Sequence, residues 1–130
     1  MKLELPFKEV QKFLSNTHHI NIGLKNIEED KIKINYCISL VLTIKEVKAD
    51  EVIFRYEANA LENIFLKSAR FLLKKKLKNI PLEWGFRTKE ITIDLKKVKE
   101  LSEFLKVSFI SELCFVNDTI LLEVNLKSEN

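Results

Sequence analysis

Turn-forming residues are almost missing from this chain: two glycines and two prolines among 130 residues, where about 12% of an ordinary globular chain is glycine plus proline. Gly23 and Gly85 stand alone, so no glycine-rich loop cradles a phosphate, and the usual nucleotide-binding fingerprints are excluded. No serine is flanked by glycines as a nucleophile elbow requires. Cys37 and Cys114 are too few for a disulfide framework and neither belongs to a CxxC; they read as free, half-buried thiols. His18 and His19 are the two histidines, adjacent, with no cysteine or carboxylate at ligand spacing. They read as a surface pair beside a turn. No apolar run is long enough to span a bilayer as a helix, and the first residues lack the apolar core of a signal peptide. The expected compartment is therefore the cytoplasm, or the envelope if a leader has been removed. No metal or cofactor is expected, and no catalytic constellation is visible.

What replaces the turn formers is charge and apolar bulk. Hydrophobic residues make up 46% and charged residues 32%, against about 25% charged in an average domain. The net charge of +3 is too mild to mark a nucleic-acid binder, and nucleic acid is not an expected partner. The length suits a single domain, whose core can form without disulfides or metal because folding buries roughly two-thirds of the chain's surface.

Along the chain, Pro6 starts a short helix through residue 15, with Phe7, Val10, Phe13 and Leu14 at helical spacing. Ile20, Ile22 and Leu24 then alternate as a strand. From Ile32 through Ile34, Tyr36, Ile38, Leu40 and Leu42 to Ile44, every second residue is apolar, which predicts one strand over residues 31–45. Such a strand would run about 50 Å at 3.3 Å per residue, so it has to coil or bulge. Val52, Phe54 and Tyr56 continue the pattern. Ile91 and Ile93 suggest a short strand, and Asp94 caps a predicted helix through Leu105. Residues 107–115 and 120–126 form a closing hairpin turned at Asn117 and Asp118.

Residues 58–80 contain neither glycine nor proline and end at Pro81, which predicts a long helix. On a wheel of 100° per residue, its apolar side chains occupy an arc of roughly 240°, about twice that of a surface helix. A helix this apolar has to be gripped over most of its circumference. The fold expected is α+β: a strongly curved antiparallel sheet of about six strands packed around one long central helix, with two shorter helices. Two arrangements satisfy that pattern. Sheet and helix close on a dry core, or they leave an apolar groove between them.

The order of a short helix, a strand meander over 20–56, the apolar helix over 61–80, Ile91-Thr92-Ile93-Asp94-Leu95 and the hairpin over 107–126 resembles the lipid-binding TULIP-type modules. The resemblance implies an acyl chain lying between sheet and helix. Ile34, Tyr36, Ile38 and Leu40 would then face Leu61, Ile64, Phe65 and Leu72 across the groove. Independently, the loop Trp84-Gly85-Phe86 either folds its aromatics back as a lid over the core or serves as a ligand gate, with Trp84 against the ligand, or as a partner contact.

A second feature is cationic. Lys67, Arg70, Lys74, Lys75, Lys76 and Lys78 fall within twelve residues that contain no acid, and Lys67, Arg70, Lys74 and Lys78 share one helix face. That seam is either a solvated face favoured by the helix dipole or a contact for an anionic polymer or a peripheral membrane surface. Three functional expectations follow. The first is a non-enzymatic module for an apolar or lipid-like ligand. The others are an interaction or oligomerisation domain, with a homodimer as the simplest partner, and an anionic-surface binder.

Overall fold

The computed structural model describes residues 1–36, 38–58, 64, 66, 67, 75, 82–85, 87–97 and 99–127. Among these, nine strands form two antiparallel sheets. The larger contains β2 (Gly23–Glu28), β3 (Lys31–Tyr36), β4 (Ile38–Val47), β5 (Glu51–Glu57), β6 (Leu82–Gly85) and β7 (Glu90–Asp94), in the order β2-β3-β4-β5-β7-β6. The smaller contains β1 (Lys2–Pro6), β8 (Ser108–Val116) and β9 (Thr119–Leu126), in the order β1-β9-β8. Helix α1 (Phe7–His18) follows β1 directly, and α2 (Lys99–Ser102) lies between the 3-10 turns Leu95–Lys97 and Phe104–Lys106.

This arrangement overturns the expected curved six-stranded sheet around one long central helix. Only α1 is a helix of seven residues or more among the described residues. The predicted helix over 58–80 falls largely outside them; Ile64, Leu66, Lys67 and Lys75 are helical there. The sheet also finds a partner that periodicity does not reveal: a second sheet.

The larger sheet buries one face. Register places Ile34 opposite Leu40, Ile32 opposite Leu42, Leu42 opposite Tyr56, Phe54 opposite Ile91, and Ile91 opposite Trp84. A period of two keeps these side chains on the same side. Ile32, Leu40, Leu42, Val52, Phe54, Tyr56 and Ile91 are buried in one cluster with Leu66, and with Phe7 and Phe115 from the smaller-sheet side. The opposite face carries Lys33, Thr43, Arg55 and Thr92.

The single strand expected over 31–45 is two strands. β3 and β4 fold back on each other with Tyr36 opposite Ile38. In this register the apolar residues of both strands fall opposite one another, so the alternation continues across the reversal and no glycine or proline marks it. The bulge between Ile44 and Glu46 supplies the irregularity expected of a long strand. The stretch around Trp84 is also more regular than predicted: it is β6, paired to β7. The helix expected from Asp94 to Leu105 is broken into two 3-10 turns and the four residues of α2. Asp94 does act locally as foreseen, with Oδ1 accepting the Lys96 N–H at 3.1 Å.

The smaller sheet caps one end of the larger one. The turn between β2 and β3 accepts Phe115 N–H at Glu29 O, 2.8 Å, and the turn between β4 and β5 accepts Ile110 N–H at Ala49 O, 2.9 Å. Both turns lie at the same end of the larger sheet, so β8 runs across that end and its edge amides are satisfied there. Phe115 sits in the seam, stacked on Phe54 at 6.4 Å and edge-on to Phe7 at 6.0 Å. α1 ends where His19 adopts a left-handed φ of 55°. The resulting turn sends Ile20 N–H to Leu14 O at 3.0 Å and buries Ile20.

The hairpin from β8 to β9 turns on Asn117 and Asp118, with φ of 50° and 56°, as the two-residue loop of a right-twisted hairpin requires. Asp118 also clamps the sheets together. Its Oδ1 accepts Asn26 N–H at 3.0 Å, and its carbonyl accepts Phe7 N–H at 2.9 Å. D118A loses the carboxylate contact and keeps a side chain in the left-handed region, so a loss of about 1.5–3 kcal/mol is expected. D118G loses the same contact but relieves the backbone, and is expected to be more stable than D118A by about 1–2 kcal/mol. Urea denaturation of both variants measures this. A D118A protein as stable as the parent would show that the clamp contributes nothing.

Candidate functional site

The residues predicted to bind a ligand do not form one wall. Ile34, Tyr36, Ile38 and Leu40 do come together, as the β3–β4 hairpin places them in two adjacent register pairs. Leu40 is buried, at 6% exposure, whereas Ile34 and Tyr36 are half-buried. Leu24, opposite Ile34 on β2, extends the same patch and is also half-buried. This patch lies at the end of the larger sheet away from the smaller sheet. Sequence reasoning places Leu24 in a strand but not beside Ile34, because the pairing register between strands is not written in local alternation.

Trp84 is elsewhere. It lies on β6, four strand positions from β3, or about 19 Å at the spacing of neighbouring strands. Its half-buried ring meets Tyr56 edge-on at 5.4 Å, and it is part of the core wall rather than a lid over the β3–β4 patch. Between the two, Leu40, Tyr56 and Ile91 are buried, so the middle of the face is packed by the chain itself.

Of the expected facing residues, Leu61, Phe65 and Leu72 lie outside the described residues. Ile64 is 62% exposed and lines nothing buried, whereas its neighbour Leu66, at 3%, is in the core. In the cationic seam, Arg70, Lys74 and Lys78 lie outside the described residues. Lys67 is exposed, as is Lys75.

The remaining polar features are structural in kind. His18 closes α1 with its ring edge-on to Phe13 at 5.6 Å, and His19 caps the helix. Among the described residues no group of three or more His, Cys, Asp or Glu side chains is arranged to hold a metal ion. Lys48, in the turn from β4 to β5, has its pKa raised by the hydrogen bond to Glu51 and then by the charges of Glu46 and Glu51. That ammonium stays protonated through the neutral range and pairs with Glu51 across the turn at 3.2 Å. An open cleft of about 460 Å³ lies between residues 25–29 and 115–118. Its rim of Lys25, Glu28, Glu29 and Asp118 is polar, unlike the lining an acyl chain selects. No helix among the described residues is long and apolar enough to cross a membrane. The comparisons with known proteins end in the same place: no protein-family model, curated protein or solved structure matches this chain.

Proposed function

We propose that this chain is a non-enzymatic binding module whose ligand is an apolar, lipid-like molecule held against the β3–β4 end of the larger sheet. The observation that carries this reading is the half-buried apolar patch at the β3–β4 end of one continuous apolar face. Where the smaller sheet caps it, Phe54 and Val52 are buried to 5% and 2% exposure, with Ile44 and Ile93 half-buried beside them. At the opposite end Leu24, Ile34 and Tyr36 stay half-buried, although register makes them part of the same face. A partly exposed apolar surface of this kind suits a ligand with an apolar body.

Native mass spectrometry of the purified chain, followed by organic extraction of the same sample, tests the reading. A fatty acid or phospholipid co-purifying at near one per chain is expected, and I34K, which places an ammonium in the patch, should lose it while remaining folded. A parent protein that is free of lipid, and that takes up none from fatty-acid-loaded vesicles, would sink the proposal.

A further inference from the structure

We propose that two copies of this chain associate edge to edge through β1, in one register, to join their smaller sheets into a continuous six-stranded sheet. β1 is the edge strand of the smaller sheet, and Lys2, Glu4, Leu5 and Pro6 are exposed along it. Its backbone polarity follows from its pairing with β9. Met1 and Val124 exchange both hydrogen bonds, at 2.9 and 2.8 Å, and Phe7 N–H reaches Asp118 O. The odd-numbered residues therefore turn their backbone groups towards β9, and the even-numbered residues turn theirs outwards.

An exposed strand edge is a template for another strand, and charges and proline on it usually act as guards. Here their spacing favours one two-fold pairing over the registers on either side of it. Centred on Glu4, an antiparallel pair sets Glu4 against Glu4 and asks Pro6, which has no N–H, to donate. Centred on Lys2, it sets like charges opposite each other. Centred on Leu3, Lys2 of each copy lies opposite Glu4 of the other, in two pairs. Those are the residues whose N–H and C=O point outwards, so each pair can exchange two backbone hydrogen bonds as well as opposite charges. Pro6 falls outside this ladder.

The same register resolves an exposed apolar row on the other face of the strand. Met1, at 63% exposure, comes opposite Leu5 of the second copy, at 38%, and the two Leu3 residues meet at the axis. A ladder of five residues a side is below the size of a standard interface, so the dimer is weak and concentration-dependent. It does not involve the β3–β4 patch, so lipid content and oligomeric state can be read independently.

Sedimentation equilibrium of the full chain over micromolar to millimolar concentrations, with circular dichroism to confirm folding, tests the register. The parent is expected to show a monomer–dimer equilibrium. K2E makes both cross-pairs acidic and E4K makes both basic, and each alone is expected to weaken the dimer about tenfold or more. E4K is the cleaner variant, because Glu4 faces Leu121 on β9 whereas Lys2 faces Glu123. An equimolar mixture of K2E and E4K should dimerise again, as should the K2E/E4K double variant. A parent that stays monomeric at millimolar concentration, single variants that dimerise like the parent, or a mixture that stays monomeric would each overturn the proposal.

Discussion

Replacing Phe115 with alanine is expected to cost about 3–5 kcal/mol, the range for truncating a buried phenylalanine. Phe115 is 2% exposed, and its ring is shared by the two sheets, stacked on Phe54 and edge-on to Phe7. Its own N–H is held by Glu29 O, so the backbone is pinned and cannot easily collapse into the space left by the ring. The loss is a large fraction of the roughly 5–15 kcal/mol that stabilises a domain. Chemical denaturation followed separately by tryptophan fluorescence and by circular dichroism provides the measurement. Trp84 reports from the larger sheet, so coincident transitions, both shifted, are expected if Phe115 joins the sheets into one cooperative unit. A loss below about 1 kcal/mol would mean that the seam is far looser than its packing implies.

The second large effect is expected at Leu66. L66A should cost about 2–5 kcal/mol, whereas I64A, two residues earlier, should stay within about 0.5 kcal/mol of the parent. The contrast rests on burial: Leu66 is 3% exposed and belongs to the cluster on the larger sheet's apolar face, and Ile64 is 62% exposed. Helical spacing alone treats both as members of one apolar arc. Denaturant midpoints of the two variants decide between arc and burial. If both cost the same, the segment containing them packs quite differently from its placement here.

Part of the fold was legible because a period of two is a local property. Val52, Phe54 and Tyr56 were recognised as a strand, Ile91 and Ile93 as another, and residues 107–126 as a hairpin turning at Asn117 and Asp118. Each identification rests on residues close in sequence, and the left-handed φ values of Asn117 and Asp118 are what that residue pair tolerates best. The β3–β4 reversal was not legible. Alternation survives a tight turn when the register places like with like, and the residues around Cys37 carry no glycine or proline to announce it. β1 was missed for a related reason: Lys2, Leu3, Glu4 and Leu5 alternate over too short a run to stand out, and pairing with β9 is what makes them a strand.

The candidate site divides in the same way. Ile34, Tyr36, Ile38 and Leu40 are register neighbours on one hairpin, a proximity that alternation along the chain conveys. Trp84 packs against the core, as one reading of its loop expects, and stands apart from them. Its distance from β3 depends on strand order, and β7 inserts between β5 and β6, which no local pattern encodes.

The amino-acid sequence by itself determined the alternation behind many of the strands, because periodicity is summed residue by residue. Tertiary structure decided that the strands divide into two sheets, that Phe7 and Phe115 fill the seam, and which edge stays open. Those outcomes depend on long-range pairings such as Phe115 with Glu29 and Phe7 with Asp118, whose partners are chosen by the packing of the whole chain.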